Sequence, residues 1–490
     1  MNAAPEPPED SARSPAQEIH WEDFRDHLAT ADKEGHRQWV YAKAPHGNWT
    51  QRRTWMSWLL IGVMFAGPFI RINGNPLLLM NIIERRFAIL GQLFWPQDMV
   101  IFAVAMLIFL TGIIIFTTAF GRLWCGWTCP QTVMMEMVFR KLEYLIEGDA
   151  VEQRQLAAAP WTAGKLFKKA FKLGVFFVLS FIIGNTLLAY IIGSDALLQI
   201  ITDPPRQHVA GLTFMLLFTL LFFALFTRFR EQACTFICPY GRLQSTMVDE
   251  NTLVVAYDHK RGEQRGRWQR DEPLVKRSAG GHGDCIDCHQ CVAVCPTGID
   301  IRNGVQMECV HCTACIDACD AVMDKVGSPR GLIRYASLNS IERGEPFRFT
   351  ARMRLYAVVL GALITLFLGL VLTRPAVEAI ILRAPGALFQ QTAAGRIENL
   401  YTLRLVNKTM RDLPVKLKLE NLPGQLKVMG EENIVVPAGK LAQTSVLIEL
   451  ETAVLTGAST KLEVGVYSEG KLMQRVRTGF VGPRSTPRNP

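Results

Sequence analysis

Eight cysteines in the stretch CIDCHQCVAVCPTGIDIRNGVQMECVHCTACIDACD constrain this chain more than any other feature. Cys285, Cys288, Cys291 and Cys295 follow the spacing CxxCxxCxxxCP, and Cys309, Cys312, Cys315 and Cys319 repeat it 24 residues later without the proline. Three thiolates in one tight loop can cover three corners of an iron–sulfur cube, and a more distant fourth thiolate closes it. Structural zinc also takes CxxC pairs, but it needs neither the third cysteine two residues on nor a duplication at fixed period.

The spacing is that of bacterial two-cluster ferredoxins, in which the fourth cysteine of each run ligates the other cluster. Cys285, Cys288, Cys291 and Cys319 are therefore expected at one 4Fe-4S cluster, and Cys295, Cys309, Cys312 and Cys315 at a second. His289 and His311 lie inside the binding loops, where they are expected to tune or solvate rather than ligate.

This module sits in a membrane protein. Of 490 residues 49% are apolar, and five runs suit spanning helices of about 20 residues: 54–70, 99–120, 173–192, 209–227 and 355–373. The first is short and contains Pro68. The polar opening MNAAPEPPEDSARSPAQE reads as disordered and not as a cleaved signal.

Arg122, Arg140, Lys141, Arg154, Lys165, Lys168, Lys169 and Lys172 crowd the loop 121–172, whereas the loop 193–208 carries only Arg206. Basic residues favour the cytoplasmic side. The N-terminus and the segment 228–354 are thus expected inside, on the cytoplasmic side, and the tail outside. Basic loops account for the net charge of +9 without nucleic-acid binding. All twelve cysteines lie between 125 and 319, on segments assigned to the reducing compartment, so metal work is expected and disulfides are not.

The other four cysteines form LWCGWTCPQ and QACTFICPY, each at the end of an apolar run. Cys125 with Cys129, and Cys234 with Cys238, share the pattern CxxxCP. Proline suits the first turn of a helix, so Cys129 and Cys238 are expected at helix N-caps, where the dipole and free amides favour a thiolate. Both motifs end helices travelling inward, so the four thiols are expected at one membrane face as a third metal or redox site. Cu(I), zinc and iron–sulfur all suit four sulfurs. Met134, Met135 and Met137 offer thioethers nearby, but as gap-filling residues they are expected in packing.

None of the nine histidines lies in an expected span, so a transmembrane haem held by paired histidines is excluded. The tail alternates apolar and polar residues in YTLRLVN, VKLKLE, TSVLIEL and KLEVGVYS, between PG, AG and EG turns. Short strands over about a hundred residues fit an immunoglobulin-like sandwich. The fold class is thus a multidomain membrane protein: a cytoplasmic segment 1–53, helices 1–4 within 54–250, a ferredoxin module at 251–353, a fifth span at 354–374 and an all-β domain at 375–490.

With FGRLWCGWTCPQ, REQACTFICPYGRLQSTMVDENTLVVAYD, the eight-cysteine run and DKVGSPRGLIRYAS in view, the chain resembles the CcoG family of cytochrome c oxidase accessory proteins, also called RdxA or FixG. The likeness covers nearly everything after residue 35, with no departure at the twelve cysteines. The resemblance implies a membrane polyferredoxin that assists assembly of a cbb3-type oxidase by reducing Cu(II) to Cu(I). Its implied partners are copper ions or copper-handling proteins, oxidase subunits or assembly factors, and an unidentified cytoplasmic electron donor. Copper is then expected at Cys125, Cys129, Cys234 and Cys238. Two other readings stay open: a quinol dehydrogenase passing electrons to an external acceptor, and a non-enzymatic metal chaperone or scaffold.

Overall fold

A computed structural model describes residues 36–72, 75–81, 86–89, 92–94, 98–268, 280–386, 388–392, 395–409, 411–430 and 434–483. The disorder expected of the opening stretch falls outside the described residues. Two compact units emerge, one from residues 1–66, 106–188 and 195–363, the other from 67–105, 189–194 and 364–490.

Helix α1 spans Asn48–Ala66, α2 Met99–Phe120 and α3 Ala163–Ile192; α4 spans Val209–Ala224 and runs on through a π-helical turn at Leu225–Phe229; α5 spans Ala351–Leu372. Four of them, α2, α3, α4 with its turn, and α5, are long and apolar enough to cross a membrane, at the places the apolar runs indicate. The run expected at 54–70 is helical too. It carries Arg52 and Arg53 and stops at Ala66, short of Pro68, so its length and apolarity fall below those of the other four.

Protein contacts cover none of the most apolar window of α5 and only 11% of that of α2, so those helices need a non-aqueous surrounding. Helix α3, 44% covered, carries the packing. Phe176 of α3 meets Phe139 edge-on at 4.8 Å, and Phe139 stacks on Phe226 at 4.3 Å. Met134 and Met135 are buried in the same cluster. They serve packing, as their sequence context indicates.

Beside this cluster lies a buried ionic network. Arg230 donates to both Glu143 oxygens, at 2.7 and 2.8 Å, and Lys172 reaches Glu143 at 3.4 Å and Glu147 at 2.9 Å. Arg230 also stacks on Trp39, with Arg37 over the same ring.

In the second unit, strands Leu78–Asn81, Arg86–Ile89 and Gln92–Phe94, which follow α1 in the chain, form a three-stranded antiparallel sheet. The tail is the expected two-sheet sandwich. Strands Gly424–Met429, Leu441–Leu450, Ile397–Asn407 and Val377–Arg383 make one sheet in that order, with Gln390–Gln391 added to Ile397–Asn407. Ile434–Val436, Leu413–Leu419, Ser459–Ser468 and Lys471–Val481 make the other.

Alternate residues of these strands, such as Tyr401, Leu403 and Leu405 against Leu462, Val464 and Val466, fill the space between the sheets. Tyr401 is fully buried and its hydroxyl donates to the Gly479 carbonyl at 2.9 Å. Asp98, just before α2, accepts from Arg374, just after α5, at 3.2 Å and from Lys408 of the sandwich at 2.7 Å. A carboxylate with two cations, all nearly dry, joins the sandwich to the ends of two apolar helices.

Candidate metal centres

Strands Val254–Tyr257 and Ile333–Ala336 pair antiparallel and frame the eight-cysteine segment. Each cysteine run winds through a loop into a helix, Gln290–Ala293 after the first and Ala314–Val326 after the second. The internal repeat is visible in the backbone. Asp287 and His289 flank Cys288 with φ of 54° and 56°, and His311 and Thr313 flank Cys312 with φ of 53° and 65°. Left-handed geometry costs a non-glycine residue about 1–2 kcal/mol. Four such residues at matching places mark two loops bent around something.

Cys285, Cys288, Cys291 and Cys319 line one cavity, and Cys295, Cys309, Cys312 and Cys315 line a second that Cys291 also touches. The fourth cysteine of each run thus sits with the opposite run, as the exchanged pattern requires. Four cysteine sulfurs around each cavity match the thiolate set of a 4Fe-4S cluster.

Burial is the main cause pushing the thiols up, Cys291 and Cys309 to about 12 and Cys312 to about 11, and neighbouring sulfurs push further. Such thiols give up protons readily only to a metal.

The surroundings of the two sets differ. Cys288 is exposed, while Cys285, Cys291 and Cys319 are buried. Arg302 beside them donates to Asp300 at 2.8 and 2.6 Å and to Asp287, so its charge is spent locally. His289 Nδ1 contacts Arg302 at 2.8 Å. His311 is buried, and burial followed by the Arg122 charge pulls it down to about 3, so it stays neutral. Its Nδ1 accepts from the Arg122 backbone N–H at 3.1 Å.

The CxxxCP segments have the expected local form. Cys129 (φ −61°, ψ 123°) caps the helix Pro130–Met134, and Cys238 (φ −75°, ψ 112°) caps Pro239–Met247, each with proline in the first turn. Cys125 and Cys129 lie close enough to Cys234 and Cys238 for their charges to act on one another. Burial first, then these neighbours, push Cys125 to about 11 and Cys234 to about 12. Gln244 accepts from the Cys125 thiol at 3.4 Å.

This third sulfur group abuts the second cavity. A Cβ on Gly126, between Cys125 and Cys129, would lie 2.4 Å from the Val310 carbonyl oxygen and 2.8 Å from that of His311. A Cβ on Gly241 would lie 2.4 Å from the Cys234 carbonyl. Only glycine permits these approaches. Arg122 donates to Gly241 and Met307 carbonyls and lies within electrostatic reach of Cys125, Cys309, Cys234 and Cys238. Tyr335 donates to the His311 carbonyl and accepts from Trp127, both at 3.2 Å.

Asp317, two residues before Cys319, accepts from the backbone N–H groups of Trp49 and Thr50, at 3.0 and 2.7 Å, and from the Thr50 hydroxyl at 2.7 Å. It caps α1 from another segment. Asp317→Asn should therefore cost about 1–2 kcal/mol, read as a lower thermal midpoint of the cluster-loaded chain. A change under a few tenths of a kcal/mol would show the cap to be solvated rather than stabilising.

Arg122, Gly126, Tyr335 and Asp317 carry no metal-ligand signature, and the sequence reading passed over them as site residues. The only sequence signals were adjacency to a CxxxCP motif for Arg122 and Gly126, and to Cys319 for Asp317.

Comparison with known proteins agrees with this layout. Residues 229–338 match the family described as a 4Fe-4S dicluster domain, residues 102–147 a 4Fe-4S binding domain, and residues 367–483 the IG-like fold at the C-terminal of FixG. The chain is 35% identical over 470 residues to Protein RdxA of Cereibacter sphaeroides, covering 91% of this chain and 98% of that protein. It is 34% identical over 389 residues to Protein RdxB of the same organism, covering 76% and 80%. It is 31% identical over 438 residues to Nitrogen fixation protein FixG of Rhizobium meliloti, covering 81% and 82%.

Proposed function

This chain belongs to the RdxA/FixG family of membrane-associated iron–sulfur electron-transfer proteins, and from that premise we propose that it reduces Cu(II) to Cu(I) at the four CxxxCP thiols. In this reading the reduced copper goes to assembly of a cbb3-type oxidase through its subunits or copper-handling partners. The observation that carries the reading is the backbone contact of Gly126 with the Val310 and His311 carbonyls, which sets Cys125 and Cys129 against the loop of Cys309 and Cys312.

Clusters held by Cys285, Cys288, Cys291 and Cys319, and by Cys295, Cys309, Cys312 and Cys315, would supply one-electron transfer. Cys288, on the surface, gives a soluble cytoplasmic donor an approach. Copper, as substrate, meets Cys125, Cys129, Cys234 and Cys238, whose soft sulfurs favour Cu(I) and so favour uptake of one electron. Arg122 offsets the negative charge that four thiolates accumulate. Each turnover moves one electron from the module to one Cu(II), and no bond forms or breaks besides those to sulfur.

The charge pattern of the loops favours α1 as a fifth membrane-embedded helix, with the N-terminus and iron–sulfur module cytoplasmic and the sandwich periplasmic.

A second reading has its own observation. A cavity of about 520 Å³, lined by Trp49, Phe116, Phe120, Trp124, Trp127 and Tyr335 among others, lies beside the first CxxxCP motif and has almost no polar surface. It suits a lipophilic quinol as electron donor better than a charged one. Besides, the 4Fe-4S match at 102–147 includes Cys125 and Cys129, which makes a third cluster the rival occupant of the thiols.

Anaerobic purification with iron, sulfide and copper counts, EPR and Cu(II) turnover decides among these. Copper reduction predicts about eight irons per chain, with copper binding and turnover lost when Cys125, Cys129, Cys234 and Cys238 become serine. About twelve irons, falling to about eight in that variant, would overturn copper at this site. Cluster reduction by a quinol, without copper turnover, would favour the second reading.

A further inference from the structure

Between the first turns of α1 and the helix Arg140–Glu147 lies a cavity of about 680 Å³ that neither the cysteine sites nor the apolar pocket uses. Arg53, Arg140 and Lys141 line it, with Glu136 as its one lining carboxylate. Arg53 is 4% exposed and Arg140 2% exposed. Arg53 donates through Nε to the Gly126 carbonyl at 2.6 Å, but its Nη2 is buried without a hydrogen-bond partner. Arg140 is balanced by Glu136 at 3.4 Å and Glu231 at 3.8 Å, yet its Nη1 is likewise unpartnered. Lys141 offers only a long contact, 3.4 Å, to Thr54.

Buried guanidinium N–H groups are paired in native proteins because leaving them bare is costly. Two orphaned N–H groups on two arginines, beside an ammonium with no carboxylate against it, ask for one anion with several oxygens. Burial, and then the Arg53 charge, pull the Lys141 ammonium down.

We propose that this cavity binds a phosphate group, held by Arg53, Arg140 and Lys141. A phosphate group brings negative charge and at least two acceptor oxygens, which suits two guanidinium forks and an ammonium. The volume exceeds that of a bare ion and leaves room for the rest of a phosphate ester.

The level of the site favours a lipid headgroup. Beyond Arg53, α1 exposes Trp55, Trp58, Leu59 and Val63, the aromatic and aliphatic face of a helix entering a bilayer. A soluble phosphate ester would satisfy the same donors. Choosing between the two sources rests on the membrane placement of α1 proposed above; the phosphate site itself does not, nor does it depend on what the CxxxCP thiols hold.

The test uses the full, cluster-loaded chain, stripped of lipid in neutral detergent. It is titrated separately with phosphatidylglycerol, phosphatidylcholine and inorganic pyrophosphate, with native mass spectrometry and the thermal midpoint as readouts. Phosphatidylglycerol or pyrophosphate should bind and raise the midpoint, and Lys141→Glu, at an exposed position, should weaken that binding roughly tenfold or more. Arg53→Lys, which keeps the charge but loses the fork, should weaken it with the iron content unchanged. Phosphatidylglycerol binding alone identifies a lipid source; pyrophosphate binding alone identifies a soluble one. Binding of neither phosphatidylglycerol nor pyrophosphate, or equal binding by wild type and Lys141→Glu, would overturn the site.

Discussion

Replacing Cys319 with serine should empty the first iron–sulfur site and leave the second intact, even though Cys319 ends the second cysteine run. The reason is geometric. Cys319 lines the cavity of Cys285, Cys288 and Cys291, and after burial itself their charges are what push its thiol up. The helix Ala314–Val326 carries Cys315 near its start and Cys319 one turn on, and the two face different cavities.

Iron should fall from about eight to about four per chain, with one of two EPR signals lost. Cys295→Ser should do the mirror experiment and remove the other signal. If Cys319→Ser instead abolished the signal that Cys309→Ser abolishes, the exchanged assignment would be wrong. A site missing a ligand also loses the folding free energy that metal binding contributes, so the variant should unfold at lower temperature.

Glu143→Ala should be the most damaging substitution away from sulfur, costing about 3–5 kcal/mol. It would leave Arg230, which grips both carboxylate oxygens, with only its longer 3.6 Å contact to Glu231, and weaken the hold on Lys172. All three side chains are nearly dry, so water cannot stand in for the lost charge. Burial pushes the Glu143 carboxyl up, but Arg230, with Lys172 and Arg140, outweighs it and holds the group below the usual range.

A depressed carboxylate contributes stability that is present above its unfolded pKa and lost as pH falls through the folded value. Wild type should therefore weaken on acidification below the ordinary glutamate range, and Glu143→Ala should flatten that part of the profile. Thermal midpoints of the detergent-solubilised chain across pH check both. A loss under about 1 kcal/mol with an unchanged acid limb would mean the network is wet and weak.

Local chemistry was legible where it depends on short spacing. The proline after Cys129 and Cys238 announced the helix starts, and alternation in YTLRLVN and TSVLIEL announced strands of the sandwich. The cysteines themselves group around two cavities, Cys319 beside the first run and Cys295 beside the second.

What escaped was whatever needed a distant partner. Asp317 caps a helix that begins 269 positions earlier in the chain, at Asn48. Gly126 looks like an ordinary small residue until the carbonyls of Val310 and His311 come up against it. The stretch 71–98 lacks strand residues in clean alternation, and its small sheet forms by antiparallel pairing of three short strands. Nor does the sequence of a loop rich in basic residues reveal that Arg122, Arg140 and Lys165 are the ones turned inward.

The uneven burial of the two cysteine sets has a consequence for how the protein ages. Cys288 lies at the surface whereas Cys309 and Cys312 are sealed, so oxygen reaches the first site more easily than the second. Decay in air should then be ordered: the first site loses its iron while the second, and the thiols behind it, still stand.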